Sequence, residues 1–344
     1  MNPPKSVSIS GYGAYVPSYR IASSEIAKVW KGGKDAFHIE KAVASSDEDT
    51  ITMAVESSRK AIKMANFPKL GAIFVGTESK PYAVKPSGTI LAQALDQHET
   101  LTADFEFACK AGTESMQAIF GLVGSGMIDN GLAVGVDTAQ GRPGDALEYT
   151  AASASASYVI SKKNKKSIAT IEACNSYVTD TPDFWRRQGE KYPRHLSRFT
   201  GEPGYFHHVQ TSVNMLLKKA KLEPEDFKHV IFHQPNVRFP IEAAHRLGFK
   251  KQQIEKGLLS PIIGNSYAAS SPVGLAAVLD EAEPDDRILI ASFGSGAGSD
   301  AISFIVNEGI IESKKNNIPV RKMIEKSEKI DYATYAKFRN KYHR

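Results

Sequence analysis

The chain has 344 residues, 42% hydrophobic and 24% charged, a balance typical of a globular protein whose length predicts two domains or two packed halves. No apolar run reaches the roughly 18 residues that a membrane span needs, and residues 1–5 lack the apolar core of a signal peptide. The two cysteines form neither a disulfide framework nor a metal-ligand pattern. The net charge of +5 is too small and scattered to indicate nucleic-acid binding, although it suits a phosphate-bearing small molecule. We therefore expect a cytoplasmic protein that binds neither metal, membrane nor nucleic acid.

Strands and helices alternate along the first half of the chain. A strand over 7–16 precedes a short helix that Ser23 or Ser24 can cap and a longer helix that begins at Asp49 or Thr50. Four further strands are predicted at 72–75, 102–107, 132–136 and 153–160, and two further helices at 87–96 and 111–127. Buried strands that alternate with helices predict mainly parallel sheets covered by helices.

The same order of elements recurs after a charge run at 162–166, which is typical of a solvated turn. The recurrence predicts two similar halves, 1–165 and 166–344, with a basic extension from Glu312 that covers a surface or contacts a partner. In the second half, strands are predicted at 168–173, 230–232, 288–293 and 301–306, and helices at 205–220 and 268–279.

Cys109 lies between a predicted strand and the helix predicted from residue 111. A thiol at a helix N-terminus is close to the positive end of the macrodipole and to free backbone N–H groups, which favour the nucleophilic thiolate. Alternatively, Cys109 is a small buried hydrophobic residue, as free cysteines often are. Cys174 follows a predicted strand and is interpreted as structural.

The repeat places four candidate residues in corresponding positions of the two halves. Glu78 and His233 each follow the end of a strand, and Cys109 and Asn265 each precede a helix. Because ligands bind beyond the carboxyl ends of strands in such sheets, we expect the four side chains to share one crevice. Glu78 would be a general base with a raised pKa. Each residue also has a structural interpretation, as a solvated carboxylate, a structural histidine, a buried thiol and a helix cap.

A glycine loop and three further histidines complete the candidates. The backbone N–H groups of the loop at 294–299 can supply an oxyanion hole, or the loop can be only a hairpin. His207, His208 and His229 are expected on helix or strand surfaces, with structural roles.

Four segments taken together resemble the archaeal-type 3-hydroxy-3-methylglutaryl-CoA (HMG-CoA) synthases of the thiolase superfamily. They are Gly-Thr-Glu-Ser at 76–79, Glu-Phe-Ala-Cys-Lys-Ala-Gly-Thr at 106–113, Arg-Phe-Thr-Gly-Glu-Pro at 198–203 and His-Gln-Pro-Asn at 233–236. The last of these and residues 264–270 also resemble ketoacyl-ACP synthase III, which uses Cys, His and Asn. Thiolases proper use a second cysteine near the C-terminal glycine loop, where this chain has none.

The resemblance covers nearly the whole chain and implies a five-layered α/β/α/β/α fold built from two similar halves. It implies a Claisen condensation of acetyl-CoA with acetoacetyl-CoA and water, in the mevalonate pathway to isoprenoids. Cys109 would carry the acetyl group, Glu78 would remove a methyl proton, and His233 with Asn265 would polarise the ketone. The backbone N–H groups of Cys109 and Ser295 would form the oxyanion hole. CoA thioesters would be substrates, with no separate cofactor.

The resemblance also implies how substrates and partners are bound. The residues that would contact substrate or CoA are Thr150, Arg198, Thr200 and Arg238, the last where lysine is expected more often. A homodimer is implied, as is an assembly with acetoacetyl-CoA thiolase and a small zinc-binding scaffold protein. The tail with Tyr332, Tyr335 and Tyr342 either docks a partner or covers the fold's own surface. Two alternative functions stay open, a condensing enzyme like ketoacyl-ACP synthase III and a noncatalytic scaffold that binds acyl-CoA.

Overall fold

The computed structural model describes residues 6–35, 37–138, 141–315 and 317–340. The strands are β1 (Val7–Tyr15), β2 (Tyr19–Ala22), β3 (Glu40–Val43), β4 (Ala72–Gly76), β5 (Leu101–Phe105), β6 (Asn130–Asp137), β7 (Ala154–Lys162), β8 (Ala169–Val178), β9 (Phe184–Trp185), β10 (Arg194–His195), β11 (His229–Phe232), β12 (Arg287–Gly294), β13 (Gly298–Val306) and β14 (Glu328–Lys329).

Helices follow most of these strands. They are α1 (Ser23–Trp30), α2 (Thr50–Met64), α3 (Ser87–Ala94), α4 (Ala111–Gly124), α5 (Ala146–Thr150), α6 (Ser197–Phe199), α7 (Phe206–Ala220), α8 (Arg238–Arg246), α9 (Lys251–Ile254), α10 (Ser260–Ile263), α11 (Ser270–Leu279), α12 (Gly309–Lys314), α13 (Val320–Glu325) and α14 (Tyr332–Phe338). Each strand and helix that the sequence predicts is present. None of the helices in the described ranges is long and apolar enough to cross a membrane.

The helix α2 shows how local sequence sets a boundary. Asp49 is its N-cap: the carboxylate accepts a hydrogen bond from the backbone N–H of Thr52 at 2.8 Å, and the Thr52 hydroxyl accepts one from the backbone N–H of Asp49 at 2.8 Å. A cap of this kind stabilises a helix by about 1 kcal/mol. The sequence allowed the helix to begin at either residue, and Asp49 is therefore the cap and Thr50 the first helical residue.

A nine-stranded sheet runs through the described structure in the order β11-β12-β13-β8-β1-β7-β6-β4-β5. Its two parts meet where Ser8 and Ile9 of β1 pair with Thr170 and Ala169 of β8. The two parts share one pattern of strand directions, a parallel pair followed by two antiparallel pairs. The pattern holds for β4-β6-β7-β1 in one part and for β11-β12-β13-β8 in the other. The boundary between the halves at residues 165 and 166 stays a prediction.

The prediction of mainly parallel sheets is wrong. β7 is antiparallel to β6 and β1, and β13 is antiparallel to β12 and β8. β12 ends at Gly294 and β13 begins at Gly298, a connection far shorter than the crossover that a parallel pair needs.

Helices cover both faces of each part of the sheet. Between the two parts, α4 and α11 share one core with strand residues of both, among them Ile119, Val273, Phe74 and Ile290. On the outer faces, α2 and α3 cover the first part, and α7 and α8 the second. Because successive strand residues point to opposite faces, Leu289 joins the outer core while Ile290 joins the inner one. The layers follow the order α/β/α/β/α, the thiolase-like fold that the resemblance implied.

Several local predictions are wrong. Ser23 is the first residue of α1 rather than its cap, because its hydroxyl donates to the Asp35 carboxylate at 2.6 Å. Cys174 lies inside β8, which continues to Val178, rather than after a strand. His208 and His229 are buried. Burial of His208 is tolerated because its ring nitrogens lie near a backbone carbonyl and a threonine hydroxyl.

The segment from Glu312 is part of the fold for much of its length. β14 pairs with β2, and Val320 and Tyr335 are buried. The hydroxyl of Tyr335 accepts a hydrogen bond from the buried ammonium of Lys41 at 3.0 Å. Tyr335 therefore covers the fold's own surface, which is one of the two interpretations of the tail, and Tyr342 lies outside the described residues.

Candidate active site

Cys109 and Glu78 come together at the carboxyl edge of two neighbouring strands. β4 and β5 are parallel, and Gly76 pairs with Phe105, so both strands end at the same level. Glu78 follows β4. β5 ends at Phe105, two residues before its predicted end, and the Cys109 turn follows it, with Ala108 in the left-handed region at φ 42°. The Cys109 Sγ donates to Glu78 Oε1 at 3.6 Å. The predicted convergence of these two side chains is thus a direct contact.

The thiol of Cys109 is held in its protonated form, against the expectation of a thiolate. Burial raises its pKa well above the ordinary value, and the carboxyls of Glu78, Asp137 and Asp183 raise it further. Burial also raises the pKa of Glu78 well above its usual range, and Asp137 adds to the effect. Desolvation and nearby negative charge both disfavour a thiolate, in opposition to the effect expected of the helix N-terminus. Glu78 is consequently placed to accept the thiol proton.

Asp137 is a site residue that the sequence analysis missed. It ends β6, and Oδ1 accepts hydrogen bonds from the hydroxyls of Thr77 and Ser79 at 2.8 and 2.6 Å and from the Glu78 backbone N–H at 2.9 Å. Oδ2 accepts from the backbone N–H of Ala268 at 2.8 Å. Burial raises its pKa to about 6, while these hydrogen bonds oppose the shift. An acidic residue directly after a predicted strand was the available signal, the same one that identified Glu78.

His233 is a neutral, buried imidazole directly after β11. Its backbone N–H donates to the carbonyl of Ala291 at 2.8 Å, and its carbonyl accepts from the Tyr205 hydroxyl at 2.7 Å. Desolvation lowers its pKa to about 3. Nδ1 is buried without a hydrogen-bond partner among the described residues. The ring centroid lies 6.4 Å from that of Phe293, which precedes the glycine loop by one residue.

Asn265 is joined to the Cys109 side of the site through residues 150–152. Its backbone N–H donates to the Thr150 carbonyl at 2.7 Å, and its carbonyl accepts from Ala152 at 2.8 Å. The intervening Ala151 packs with Cys109 and Tyr267. The Asn265 side chain also caps the turn that follows, accepting from the Tyr267 backbone N–H at 2.9 Å.

The glycine loop approaches the Cys109 turn from the second half. A Cβ at Gly294 would lie 2.5 Å from the carbonyl oxygen of Phe107, so only glycine allows this approach without displacement. Ser295 follows and is half-buried. Gly296 donates its backbone N–H to Asp183 Oδ1 at 2.8 Å. The loop is therefore a hairpin connection and lies at the Cys109 turn as well.

Of the four residues predicted to contact substrate or CoA, Thr150 is buried beside Asn265, and the other three are exposed or half-buried. Arg198 is exposed, with its guanidinium 4.5 Å from the ring centroid of Phe199, and Thr200 is half-buried. Arg238 is exposed at the first turn of α8. Sequence reasoning missed Arg186, on the connection between β9 and β10, whose Nη2 donates to the Glu78 carbonyl oxygen at 3.2 Å. Over the described ranges, no group of three or more His, Cys, Asp or Glu residues is arranged to hold a metal ion.

Comparisons with known proteins agree with this arrangement. Residues 217–304 match the family 3-oxoacyl-(acyl carrier protein) synthase III, C terminal. The chain is 54% identical to a hydroxymethylglutaryl-CoA synthase of Thermococcus kodakarensis, over 99% of this chain and 98% of that one. It is 55% identical to one of Pyrococcus horikoshii, again over 99% and 98%. Its fold is similar to MvaS in complex with 3-hydroxy-3-methylglutaryl coenzyme A, with a TM-score of 0.87 at 21% identity over 97% of this chain and 92% of that one.

The layered fold is of the thiolase-like class, and the relatives of 54% and 55% identity show that its bearer is a condensing acyltransferase. The residues that match the synthase III family, 217–304, extend from the end of α7 into β13 of this fold. The high identity over the full length shows that the chain belongs to the hydroxymethylglutaryl-CoA synthase family.

Proposed function

We propose that Cys109, Glu78 and His233 carry out the condensation of acetyl-CoA with acetoacetyl-CoA and water to HMG-CoA and CoA, in the mevalonate pathway to isoprenoids. The observation that carries the proposal is the 3.6 Å contact between the Cys109 thiol and the Glu78 carboxyl. Such a pair joins a nucleophile with a base that can activate it.

In the first step, the Cys109 sulfur attacks the thioester carbonyl of acetyl-CoA while Glu78 takes the thiol proton. The carbon–sulfur bond to CoA then breaks, Glu78 returns the proton to the departing CoA sulfur, and acetyl-Cys109 remains. The backbone N–H groups of Cys109 and Ser295 stabilise the negative charge on the carbonyl oxygen.

In the second step, Glu78 removes a proton from the acetyl methyl group, and the resulting carbanion adds to the ketone of acetoacetyl-CoA. The ketone oxygen is polarised by the neutral imidazole of His233, helped by Asn265, and the alkoxide takes, through that imidazole, the proton that Glu78 removed from the methyl group. Water then cleaves the thioester to Cys109, which releases HMG-CoA and regenerates the thiol. No decarboxylation is involved, in contrast to a ketoacyl-ACP synthase III.

Arg198, Arg238, Thr150 and Thr200 form the substrate and CoA-binding surface in this proposal. The exposed guanidinium groups of Arg198 and Arg238 are available to phosphate. In Arg238→Ala, loss of one charge-assisted contact should raise KM for the CoA substrates about tenfold at low salt, the equivalent of about 1.4 kcal/mol. Arg59→Ala, on an exposed face of α2, is the control and should leave KM unchanged. An unchanged KM in Arg238→Ala would contradict the assignment.

We further propose a cytoplasmic homodimer that assembles with acetoacetyl-CoA thiolase and a small zinc-binding scaffold protein. The family resemblance supports the assembly, and thiolase's product forms uphill, so direct transfer would draw that reaction forward. Gentle purification at low salt from the native source should recover the thiolase with the synthase. Recovery of a lone homodimer would count against the assembly.

Intact-mass measurement after acetyl-CoA tests the central proposal. One acetyl group should be added and map to Cys109, and acetoacetyl-CoA should then remove it. Cys174→Ser should label normally, whereas Cys109→Ser should not label. A label on Cys174, or no label in an active preparation, would refute the role of Cys109.

A further inference from the structure

The residue after Cys109, Lys110, has a fully buried side chain at the N-terminus of α4, with 1% of its surface exposed. A buried ammonium is unfavourable unless it is paired. Its Nζ lies 3.1 Å from Oδ1 and 3.3 Å from Oδ2 of Asp300, which is also fully buried. Lys110 also pairs with Glu114, one turn along the helix. The contact with Asp300 is thus a buried salt bridge between residues 190 positions apart.

The Asp300 carboxylate is held by hydroxyl groups as well. Ser176 donates to Oδ1 at 2.6 Å, and the Thr113 hydroxyl lies 2.7 Å from Oδ2. Thr113 in turn lies 2.6 Å from the hydroxyl of Ser292, which can donate to it. The Asp300 carboxylate is therefore held from β8 and α4 at once, and it can hold Lys110 in one place.

This salt bridge connects the Cys109 turn to the strand that follows the glycine loop. Asp300 lies on β13, two residues after Gly298. The two backbones are in close contact nearby, since a Cβ at Gly294 would lie 3.1 Å from the backbone nitrogen of Lys110. An oxyanion hole made by Cys109 and Ser295 needs these two backbones at a set separation, and a misplacement of about 1 Å can reduce a catalytic rate about 100-fold.

We propose that Lys110 is a positioning residue. Its salt bridge with Asp300 holds the Cys109 turn at the distance from the glycine loop that an oxyanion hole requires. The inference rests on the roles proposed above for Cys109 and Ser295.

A set of three variants tests the proposal. Lys110→Met leaves the buried Asp300 carboxylate without its ionic partner, Asp300→Asn leaves Lys110 paired with Glu114 alone, and both should lower Tm and kcat. In the double variant both charges are gone, and Tm should recover because a neutral pair of similar size is tolerated in place of a buried salt bridge. Its kcat should remain roughly 10- to 100-fold below the wild type, with KM for acetyl-CoA within about twofold. A merely structural pair would give recovery of both quantities.

The salt bridge between Arg287 and Glu172, whose side chains are 26% and 27% exposed, provides a control in the same sheet. It lies on β12 and β8 of the same part of the sheet, with a separation of 3.0 Å, and Arg287 is at the opposite end of β12 from Gly294. The double variant Arg287→Met with Glu172→Gln should keep Tm near the wild-type value, because a neutral pair is tolerated here too, and should keep kcat at the wild-type value. A similar loss of kcat in this control would overturn the specific role of Lys110.

Acetylation of Cys109 distinguishes a failure of the positioning role from a failure of the proposed function. If the wild type forms no acetyl-Cys109, the proposed function fails whatever the variants do. If the wild type is acetylated and the Lys110→Met, Asp300→Asn double variant is acetylated at the same rate and turns over normally, the positioning role fails alone. Slow acetylation in the double variant, with normal Tm and KM, is the expected result.

Discussion

One thiol and two carboxyl groups are connected by hydrogen bonds of Glu78 at the centre of the site. Cys109 donates to Glu78, and the backbone N–H of Glu78 donates to Asp137. Burial raises the pKa of all three groups, and neighbouring negative charge adds to the shift for Cys109 and Glu78, so the free protein keeps its nucleophile protonated beside its base. Activation then depends on transfer of the thiol proton to Glu78 as the sulfur attacks.

Replacing Glu78 distinguishes this chemistry from that of a ketoacyl-ACP synthase III. Glu78→Ala should lose condensation by roughly 10²- to 10⁴-fold, the usual contribution of a general base, and exchange of the acetyl methyl protons with solvent should vanish in parallel. Acetyl-Cys109 should still form on prolonged incubation. Near-normal turnover of this variant, or a preference of the wild type for malonyl-ACP, would favour the synthase III mechanism instead.

The pH dependence of condensation should report the raised pKa of Glu78. A base must be deprotonated, so kcat/KM should fall with decreasing pH through a pKa above the roughly 4.3 of an ordinary glutamate. Asp137→Asn removes one cause of the shift and should move this acidic limb to lower pH. His233, with a pKa of about 3, should add no limb near the usual value of about 6.5. A limb at the ordinary glutamate pKa, or an upward shift in Asp137→Asn, would contradict this assignment.

At the scale of elements, the short connection between β12 and β13 is the structure that reaches from one half to the nucleophile of the other. It can do so because Gly294 has no side chain to meet the carbonyl oxygen of Phe107. The close approach of α4 and the turn before α11 has a similar basis, since a Cβ at Gly112 would lie 2.4 Å from the Ala268 carbonyl oxygen. At Gly294 and Gly112, the absence of a side chain allows close approach of protein backbone rather than of a ligand.

Two glycine substitutions separate this contact from a general effect on stability. Gly294→Ala should displace the loop and lower kcat about 100-fold, because the groups that stabilise the oxyanion move. Gly121→Ala, in α4 with open space around it, should raise the free energy of unfolding by about 0.5–1 kcal/mol and leave kcat unchanged. Steady-state kinetics and thermal unfolding measure both. Wild-type kcat in Gly294→Ala would show that the loop position is not critical.

For the whole molecule, the exposed edge of the sheet is the expected dimer contact. β5 is one of the two terminal strands of the nine-stranded sheet, and its Leu101 is 54% exposed. An unpaired edge strand is a template for pairing with another chain. Leu101→Glu should therefore shift the protein from dimer to monomer in light scattering, whereas Ile318→Glu, also at an exposed apolar residue, should not. A dimer that persists in Leu101→Glu would place the interface elsewhere.

The sequence by itself determined the order of elements, the repeat and the convergence of Glu78 with Cys109. Hydrophobic periodicity is a local property, and neighbouring parallel strands such as β4 and β5 bring their ends to one edge. The proton on Cys109, the part played by Asp137, the antiparallel pairing of β7 and β13, and the burial of Tyr335 were decided only by the tertiary structure. Each depends on desolvation and on neighbours distant in the chain, as the pairing of Lys110 with Asp300 illustrates. Such contacts leave no periodic pattern in the residues that make them.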